Sequence, residues 1–582
     1  MNKNWFYLLL VVVLLAACSA GGGEQPPEGI EGAPAATSAG PTVEEPQAQP
    51  PGGAEVEIGS PTTFEGGSLP IERGNLSSGS GACVACHTNM VDESGADVSI
   101  DRMWRSSMMA NAARDPYWTA SVRAEVISSP DYREAIEDKC ATCHTPMARL
   151  ESVAAGEAVA LLDSGYLDVG NELHALGIDG ISCNACHQIL ADNFGEAESF
   201  SGGYLVDMQL PMGERQSFGP YEVDEQQATI MQGVSGFIPL QGVHMGQAEQ
   251  CGTCHTLYTP YLDANDQIAG EFPEQTVYQE WERGAFAGST TCQDCHMPQS
   301  QGAVQVATTG GPPRSPFSLH GAVGGNAYVL RLFQYFGPEM NATAGSEHFG
   351  ATLERVEDRL QNLTAALSLE GLRLEGNQLL GTIEVSSLAG HKFPTGFPSR
   401  RAWLHIVVRD AAGEVIFESG AVAPDGAIQG NDNDEDPARY EPHYLMIETP
   451  DQVQVYESIM VNTEGVLTTT LLRGAGYIKD NRLLPQGFDK TAVQPDIAPY
   501  GAAVDDADFL SGGDSLGLSI DLGEAAGPFE VTVELLYQSI GYRWADNLRQ
   551  YEAAEVARFI EYYEAVPNLP VVVASAQAKT GE

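Results

Sequence analysis

The sequence predicts a multidomain protein: a mainly helical and loop-rich domain over residues 76–370, then an all-β, Ig-like sandwich with a C-terminal helix over 371–582. Three observations predict it. Ten of the eleven cysteines form five similarly spaced pairs between Cys83 and Cys295, so that stretch is organised around sulfur. No cysteine follows, and the later half carries short β-rich runs broken by Gly, Asp and Asn. The 63 Gly and 34 Pro point to much irregular chain, while a hydrophobic fraction of 43% suffices for a core over most of the length.

The chain begins with Met-Asn-Lys-Asn, an apolar run from Trp5 to Ala17, and then Cys18. A short charged start before a short apolar stretch predicts a secretory signal over 1–18, too short for a membrane span. Leu15-Ala16-Ala17-Cys18 resembles the lipobox of bacterial lipoproteins, which implies cleavage before Cys18 and lipidation of its sulfur. The alternative is an ordinary secretory signal that contains a cysteine. The expectation is an exported protein, lipid-anchored to the periplasmic or cell-surface face of the envelope. Residues 19–75 are rich in Gly, Pro, Ala and Glu and read as a flexible spacer, because they offer little apolar surface to bury.

Charge narrows the partners. With 29 Lys+Arg against 79 Asp+Glu the formal balance is −50, which repels nucleic-acid phosphates and anionic lipid headgroups. The expected macromolecular partners are redox proteins with a basic docking face.

A histidine follows every cysteine pair: Cys83-x-x-Cys86-His87, Cys140-x-x-Cys143-His144, Cys183-x-x-Cys186-His187, Cys251-x-x-Cys254-His255 and Cys292-x-x-Cys295-His296. Two thiols at this spacing reach the two vinyl groups of one haem, and the next residue brings its imidazole beneath the iron. Zinc has no need of an adjacent His in all five, and five identical three-residue loops make a poor disulfide framework. The pattern therefore predicts five covalently bound haem c groups, with those five histidines as proximal ligands. Porphyrin surface would replace much of the side-chain core, so the domain is expected to be haem-wrapped. Two helices are legible there, one from Ser129-Pro130-Asp131 toward Cys140 and one over Met103–Asn111.

The ligand on the far side of each iron separates a closed electron carrier from an open catalytic site. His174, His244, His320 and His391 are the candidate distal ligands, and His348, Met108 and Met109 the weaker ones. His405 sits in an alternating run and reads as a sheet-face residue, and His443 as a loop residue.

The chain resembles the multihaem cytochromes related to cytochrome c-554. Members commonly carry Trp-x-x-Ser-x-His-Ala, whose His is a distal ligand; here the matching positions read Trp104-x-x-Ser107-x-Met109-Ala110 and Trp281-x-x-Gly284-x-Phe286-Ala287. Cys292–Pro298 and Phe218-Gly219-Pro220-Tyr221 also resemble that group. Downstream, His391–Gly396, Lys479–Pro485 and Tyr537–Trp544 are similar to the C-terminal region of a group of lipoprotein-like multihaem cytochromes. The resemblance implies electron transfer, and some relatives are enzymes.

In the second half, residues 379–385, 402–409, 414–419 and 529–537 read as strands of an antiparallel sandwich. An amphipathic helix is expected over Leu353–Leu367 and another over Glu552–Ala565, with Val556, Phe559, Ile560 and Tyr563 inward. The acidic run Gly430–Asp436 reads as a solvated loop, a Ca²⁺ loop being the alternative although the EF-hand spacing is missing. The function expected is a membrane-tethered pentahaem cytochrome passing electrons between redox partners. Two alternatives stay open: a multihaem oxidoreductase acting on a small nitrogen or sulfur compound at an open haem, and a subunit of an extracellular cytochrome filament. No Cys-x-x-Cys-Lys, the usual mark of a cytochrome c nitrite reductase, occurs.

Overall fold

The computed structural model describes residues 61–580, so Cys18, the apolar N-terminal run and most of the expected spacer lie outside the described residues. The cysteine-rich region is built from short helices joined by long turns. Pro116–Ser128 is its longest helix, started by Asp115, whose carboxylate accepts the Tyr117 and Trp118 amides, and by Pro116 in the first turn. The expected helix from Ser129 forms as a single tight turn, Pro130–Tyr132, followed by helix Arg133–His144. The expected Met103–Asn111 helix does not form. The helix there is Ile100–Arg105, and beyond it side chains take over the backbone groups: Ser107 Oγ accepts the Ala110 amide and Asn111 Nδ2 donates to the Arg105 and Ser107 carbonyls.

Two small sheets lie in this region. Strands β1 (Arg215–Gly219) and β2 (Phe237–Gln241) pair in parallel, and β3 (Thr256–Leu262) and β4 (Ile268–Thr276) form an antiparallel hairpin. The helix expected over Leu353–Leu367 is Ser346–Leu363, because the chain straightens after Thr364 into β5 (Ala365–Glu375). That strand runs through the expected domain boundary at 370/371.

The later strands are β6 (Gln378–Ser387), β7 (Arg401–Arg409), β8 (Val415–Ser419), β9 (Met446–Ile447), β10 (Val455–Tyr456), β11 (Ser458–Val461), β12 (Gly476–Asp480), β13 (Gly513–Asp521), β14 (Glu530–Gln538) and β15 (Val571–Lys579). One sheet runs β5-β6-β13-β9, a second runs β10-β7-β14-β15 with β8 also on β7, and β11 pairs with β12. Alternate residues of β6 and β13 (Leu379, Ile383, Leu516, Leu518) share one buried cluster with Leu404 and Ile406 of β7 and Val531 and Val533 of β14. The two sheets thus face each other across a common core. The pairing is not purely antiparallel, since the two-residue β9 joins β13 in parallel from within a long loop. Helix Ala554–Ala565 buries Val556, Phe559, Tyr562 and Tyr563, and it packs on Pro116–Ser128. Tyr117 and Ala120 of that helix lie in the same cluster as the sheets, so the cysteine-rich region and the β-rich half share a core.

The acidic run is not a solvated loop. Asn431 caps a helical turn, Asp432–Glu435, in which buried Asp434 binds Arg401 at 2.7 and 2.8 Å and accepts the Ile428 amide. Arg543 donates to the Asn433 and Asp434 carbonyls. The carboxylate with most of its oxygens turned inward is therefore spent on arginine rather than on an ion.

Candidate cofactor-binding site

Helix geometry arms each motif. Residues i, i+3 and i+4 share one face of a helical turn, so a Cys-x-x-Cys-His run within such a turn points two thiols and an imidazole the same way. Four motifs end or make up the helices Arg133–His144, Cys183–His187, Ala248–His255 and Cys292–His296. The first begins in Gly81–Val84, and the turn continues through the His87 amide donating to the Cys83 carbonyl at 3.1 Å. A reciprocal cap between Thr291 and Asp294 starts the last.

All ten motif cysteines and all five motif histidines line one continuous cavity of about 1440 Å³. That exceeds the ~300–1,000 Å³ common for a single small-molecule site. None of the ten cysteines forms a disulfide. Thiols of different motifs are neighbours: Cys183 holds Cys83 below the ordinary thiol pKa, Cys143 does the same to Cys254, and Cys251 to Cys292. The fourth motif, through Cys251 and Cys254, thereby adjoins both the second and the fifth.

The imidazoles are oriented by the backbone. Nδ1 of His87 faces the Val306 carbonyl at 2.8 Å, that of His144 the Ala112 carbonyl at 3.0 Å, that of His187 the Phe218 carbonyl at 2.5 Å and that of His296 the Val323 carbonyl at 2.5 Å. A carbonyl accepts only from N–H, so Nδ1 carries the proton and Nε2 keeps its lone pair. Burial lowers the pKa of all five, to about 4 for His144 and His296, which keeps the rings neutral as metal ligation requires.

Of the seven other histidines, His320 and His391 line the cavity and His174, His244 and His348 do not. His320 and His391 also turn Nδ1 to carbonyls, of Ser318 and Lys392, each at 2.9 Å. Each faces a motif histidine: the His187 and His320 ring centroids are 6.5 Å apart with planes 13° apart, and those of His296 and His391 are 6.2 Å apart with planes 11° apart. Two metal–nitrogen bonds of about 2 Å plus the inner halves of two rings add to ~6 Å, close to both centroid separations. His174 turns Nδ1 to the Tyr166 carbonyl at the start of a short helix. His244 is buried with Nε2 on the Ile189 carbonyl and its ring against Phe194 and Phe218. His348 is in the first turn of helix Ser346–Leu363, and its buried Nδ1 has no partner among the described residues. Met108 and Met109 line the cavity, on the turn that replaces the expected helix. Phe286 and Trp281 line it as well.

His405 lies on the sheet face between Glu418 (3.0 Å) and Glu534 (3.2 Å). His443 is a buried loop residue whose Nε2 donates to Asp506, and whose Nδ1 accepts from Gln454 and Asn481. With Asp514 these form the one cluster of ligand-type atoms close enough to hold an ion among the described residues, but both ring nitrogens are already engaged.

Sequence reasoning missed how the loop bearing His391 is held. Phe393 and Leu483 exchange backbone hydrogen bonds, so the runs His391–Gly396 and Lys479–Pro485 pair with each other. Beneath them Lys392 Nζ meets Asp480 at 2.7 Å, Arg482 meets Asp480 at 2.8 Å and Glu280 at 3.0 Å, and Glu280 accepts from Thr395 Oγ1 and the Lys392 amide. Gly396, at φ = 84°, closes the turn with Arg400 behind it. The Tyr537 ring packs 5.5 Å from that of Phe393. Glu280 belongs to the helix that carries Trp281, so the network joins the cysteine-rich region to the β-rich half at the place where His391 enters the cavity. Trp118 was also missed: its ring stacks on His144 at 4.2 Å and 2°. The lysine and arginine of those two runs were the available signal, since charged residues inside apolar segments are buried only when paired.

No protein-family model matches the chain, and no curated protein matches it. Among solved structures, a penta-haem cytochrome c552 from Thermochromatium tepidum is similar at 16% identity with a TM-score of 0.48, over 88% of this chain and 100% of that one.

Proposed function

We propose that this chain is an exported, membrane-tethered pentahaem c-type cytochrome that passes single electrons between redox partners. One observation carries the reading: five Cys-x-x-Cys-His turns, brought from more than two hundred residues of sequence, line a single cavity. Haem bound there supplies one-electron exchange at iron. The chain's own residues supply the rest. Cysteine pairs anchor each group covalently, backbone carbonyls fix the tautomer of four motif imidazoles, and His320 and His391 close the iron sites of His187 and His296. The contacts between motifs support close placement of neighbouring haems, which electron transfer needs. Tethering through Cys18 and docking of a basic partner follow from the lipobox-like start and the balance of −50.

A second reading is favoured by the supply of ligands. Five motif histidines share a cavity with two others, so three irons depend on a thioether such as Met108 or Met109, on another group, or on nothing. An iron left open would turn over a small nitrogen or sulfur compound. The test is chemical haem content with low-temperature EPR of the ferric protein. Five haems, with low-spin signals from near-parallel imidazole pairs that change in H320A and H391A, are expected. Fewer than five covalent haems would overturn the pentahaem reading, and a high-spin signal would select the second.

A further inference from the structure

Two buried carboxylates beside the second motif have no part in the reading above. Glu125, on helix Pro116–Ser128, accepts the backbone amides of Leu471 (2.6 Å) and Leu472 (3.3 Å). Glu274, on β4, has Oε1 3.3 Å from the Gln275 side-chain amide, and its buried Oε2 has no partner. They are 8% and 4% exposed, and both line the cavity. Neither forms an ion pair among the described residues. Each is near enough to Cys140 for its charge to act on that sulfur.

The groups around them are few. Helix Arg133–His144 brings Lys139 toward Glu274 and Glu137 toward Cys140, and the turn Leu471–Arg473 brings Arg473 toward Glu125. Tyr117 lies on Glu125's own helix, Thr259 of β3 faces Glu274, and the Tyr477 hydroxyl of β12 donates to the Pro273 and Glu274 carbonyls. A buried carboxylate lacking a paired cation is stable as the acid or as the anion according to the charge nearby. Burial pushes both groups up to about 7, with the Glu274 charge adding to the rise at Glu125.

We infer that Glu125 and Glu274 form a proton-binding site that gains one proton when the haem attached through Cys140 and Cys143 is reduced. The inference rests on the haem reading. Balance is simple: a one-electron donor delivers the electron, the local positive charge falls by one, and a proton from water adds to Oε2 of Glu274. Oxidation returns it. Glu125 holds the pair together by fixing its own oxygens on the 471–472 amides and setting the repulsion that makes a second negative charge unfavourable. Electron transfer through this motif would then carry a proton with it.

The experiment is a redox titration of the holoprotein between pH about 6 and about 8, resolved haem by haem, for the natural chain, Glu274→Gln and Glu125→Gln. The expected result is one haem whose reduction equilibrium weakens up to tenfold per pH unit, ~59 mV for one electron. That slope is lost in E274Q and reduced in E125Q with haem content unchanged. A redox-difference infrared spectrum should show a protonated carboxyl growing on reduction and absent from E274Q. An equal slope in all three proteins, or none in the natural chain carrying five haems, overturns the inference. Absence of covalent haem at Cys140 overturns the haem reading itself, and haem content tells the two failures apart. If E274Q does not fold, E125Q and the infrared spectrum of the natural chain still decide.

Discussion

Arg482→Met tests the bond between the two halves of the molecule. Arg482 touches Asp480 through Nε at 2.9 Å and Nη2 at 2.8 Å, and Glu280 through Nη1 at 3.0 Å, with all three side chains buried. Methionine keeps the volume and removes the charge, leaving Glu280 with hydrogen bonds but no bound guanidinium and Asp480 with Lys392 alone. Burial by itself would raise Asp480, yet Arg482 and Lys392 hold it at about 2 against an ordinary 3.8. That difference corresponds to about 2 kcal/mol at ~1.36 kcal/mol per unit. With Glu280 stranded as well, the loss should reach the 3–5 kcal/mol seen on breaking a buried pair, roughly. The depressed value sets the sign: the contribution is complete above pH 3.8 and disappears as pH falls through about 2. Guanidinium unfolding of both proteins at neutral pH should show the full gap, and the gap should close on acidification below pH about 4 as the natural chain protonates Asp480. On the proposed haem reading, the EPR signal that changes in H391A should also broaden or shift, because the loop His391–Gly396 loses its floor. A loss under about 1 kcal/mol, the value of an exposed pair, would refute the claim that this network holds the loop.

Four further outcomes follow. Burial opposes the charge on His405, but Glu534 and Glu418 on the flanking strands raise its pKa. Its contribution is thus complete below pH about 6.5 and fades as pH rises through the folded value, so His405→Gln should flatten the alkaline side of the stability curve by roughly 1 kcal/mol. Asp434→Asn leaves the Arg401 guanidinium without its buried carboxylate and should cost about 3 kcal/mol by chemical denaturation. Added Ca²⁺ should not move the midpoint of the natural chain, and a clear upward shift would restore the ion-loop reading. The rate of association with a basic soluble cytochrome should fall steeply with ionic strength, and a flat profile would remove the basic partner.

The strands that could be read from sequence are those whose apolar residues are β-branched or aromatic, as in residues 402–409 and 529–537, because such runs mark a half-buried pleated surface by themselves. Two that were not read, β5 and β13, are built on Leu, Gly, Ser and Ala. Their alternation is real, with Leu516, Leu518 and Ile520 inward, but their residue types favour a strand only weakly until a neighbour covers them. The end of helix Ile100–Arg105 was missed for another reason. Ser106, Ser107 and Asn111 read as tolerable helix residues, and only the folded chain shows their side chains holding the backbone groups a helix would use.

The same divide between local and distant runs through the site. A Cys-x-x-Cys-His turn contains its own geometry, so the anchoring residues can be named from five letters. The facing imidazoles are set by tertiary packing: His174 and His244 stand near motifs in sequence and do not line the cavity, while His391 reaches it from the loop between β6 and β7. Proximity along the chain does not say which further histidines line the cavity, and the buried charges of Lys392, Asp480 and Arg482 are the signal for the loop that brings His391 there. A loop that must place an imidazole within a few tenths of an ångström needs a rigid floor, and fully paired charges with fixed hydrogen-bond directions provide one where apolar packing alone would let the loop slide. On that argument the β-rich half is part of the cavity wall rather than an appendage, because it supplies both His391 and the cations beneath it.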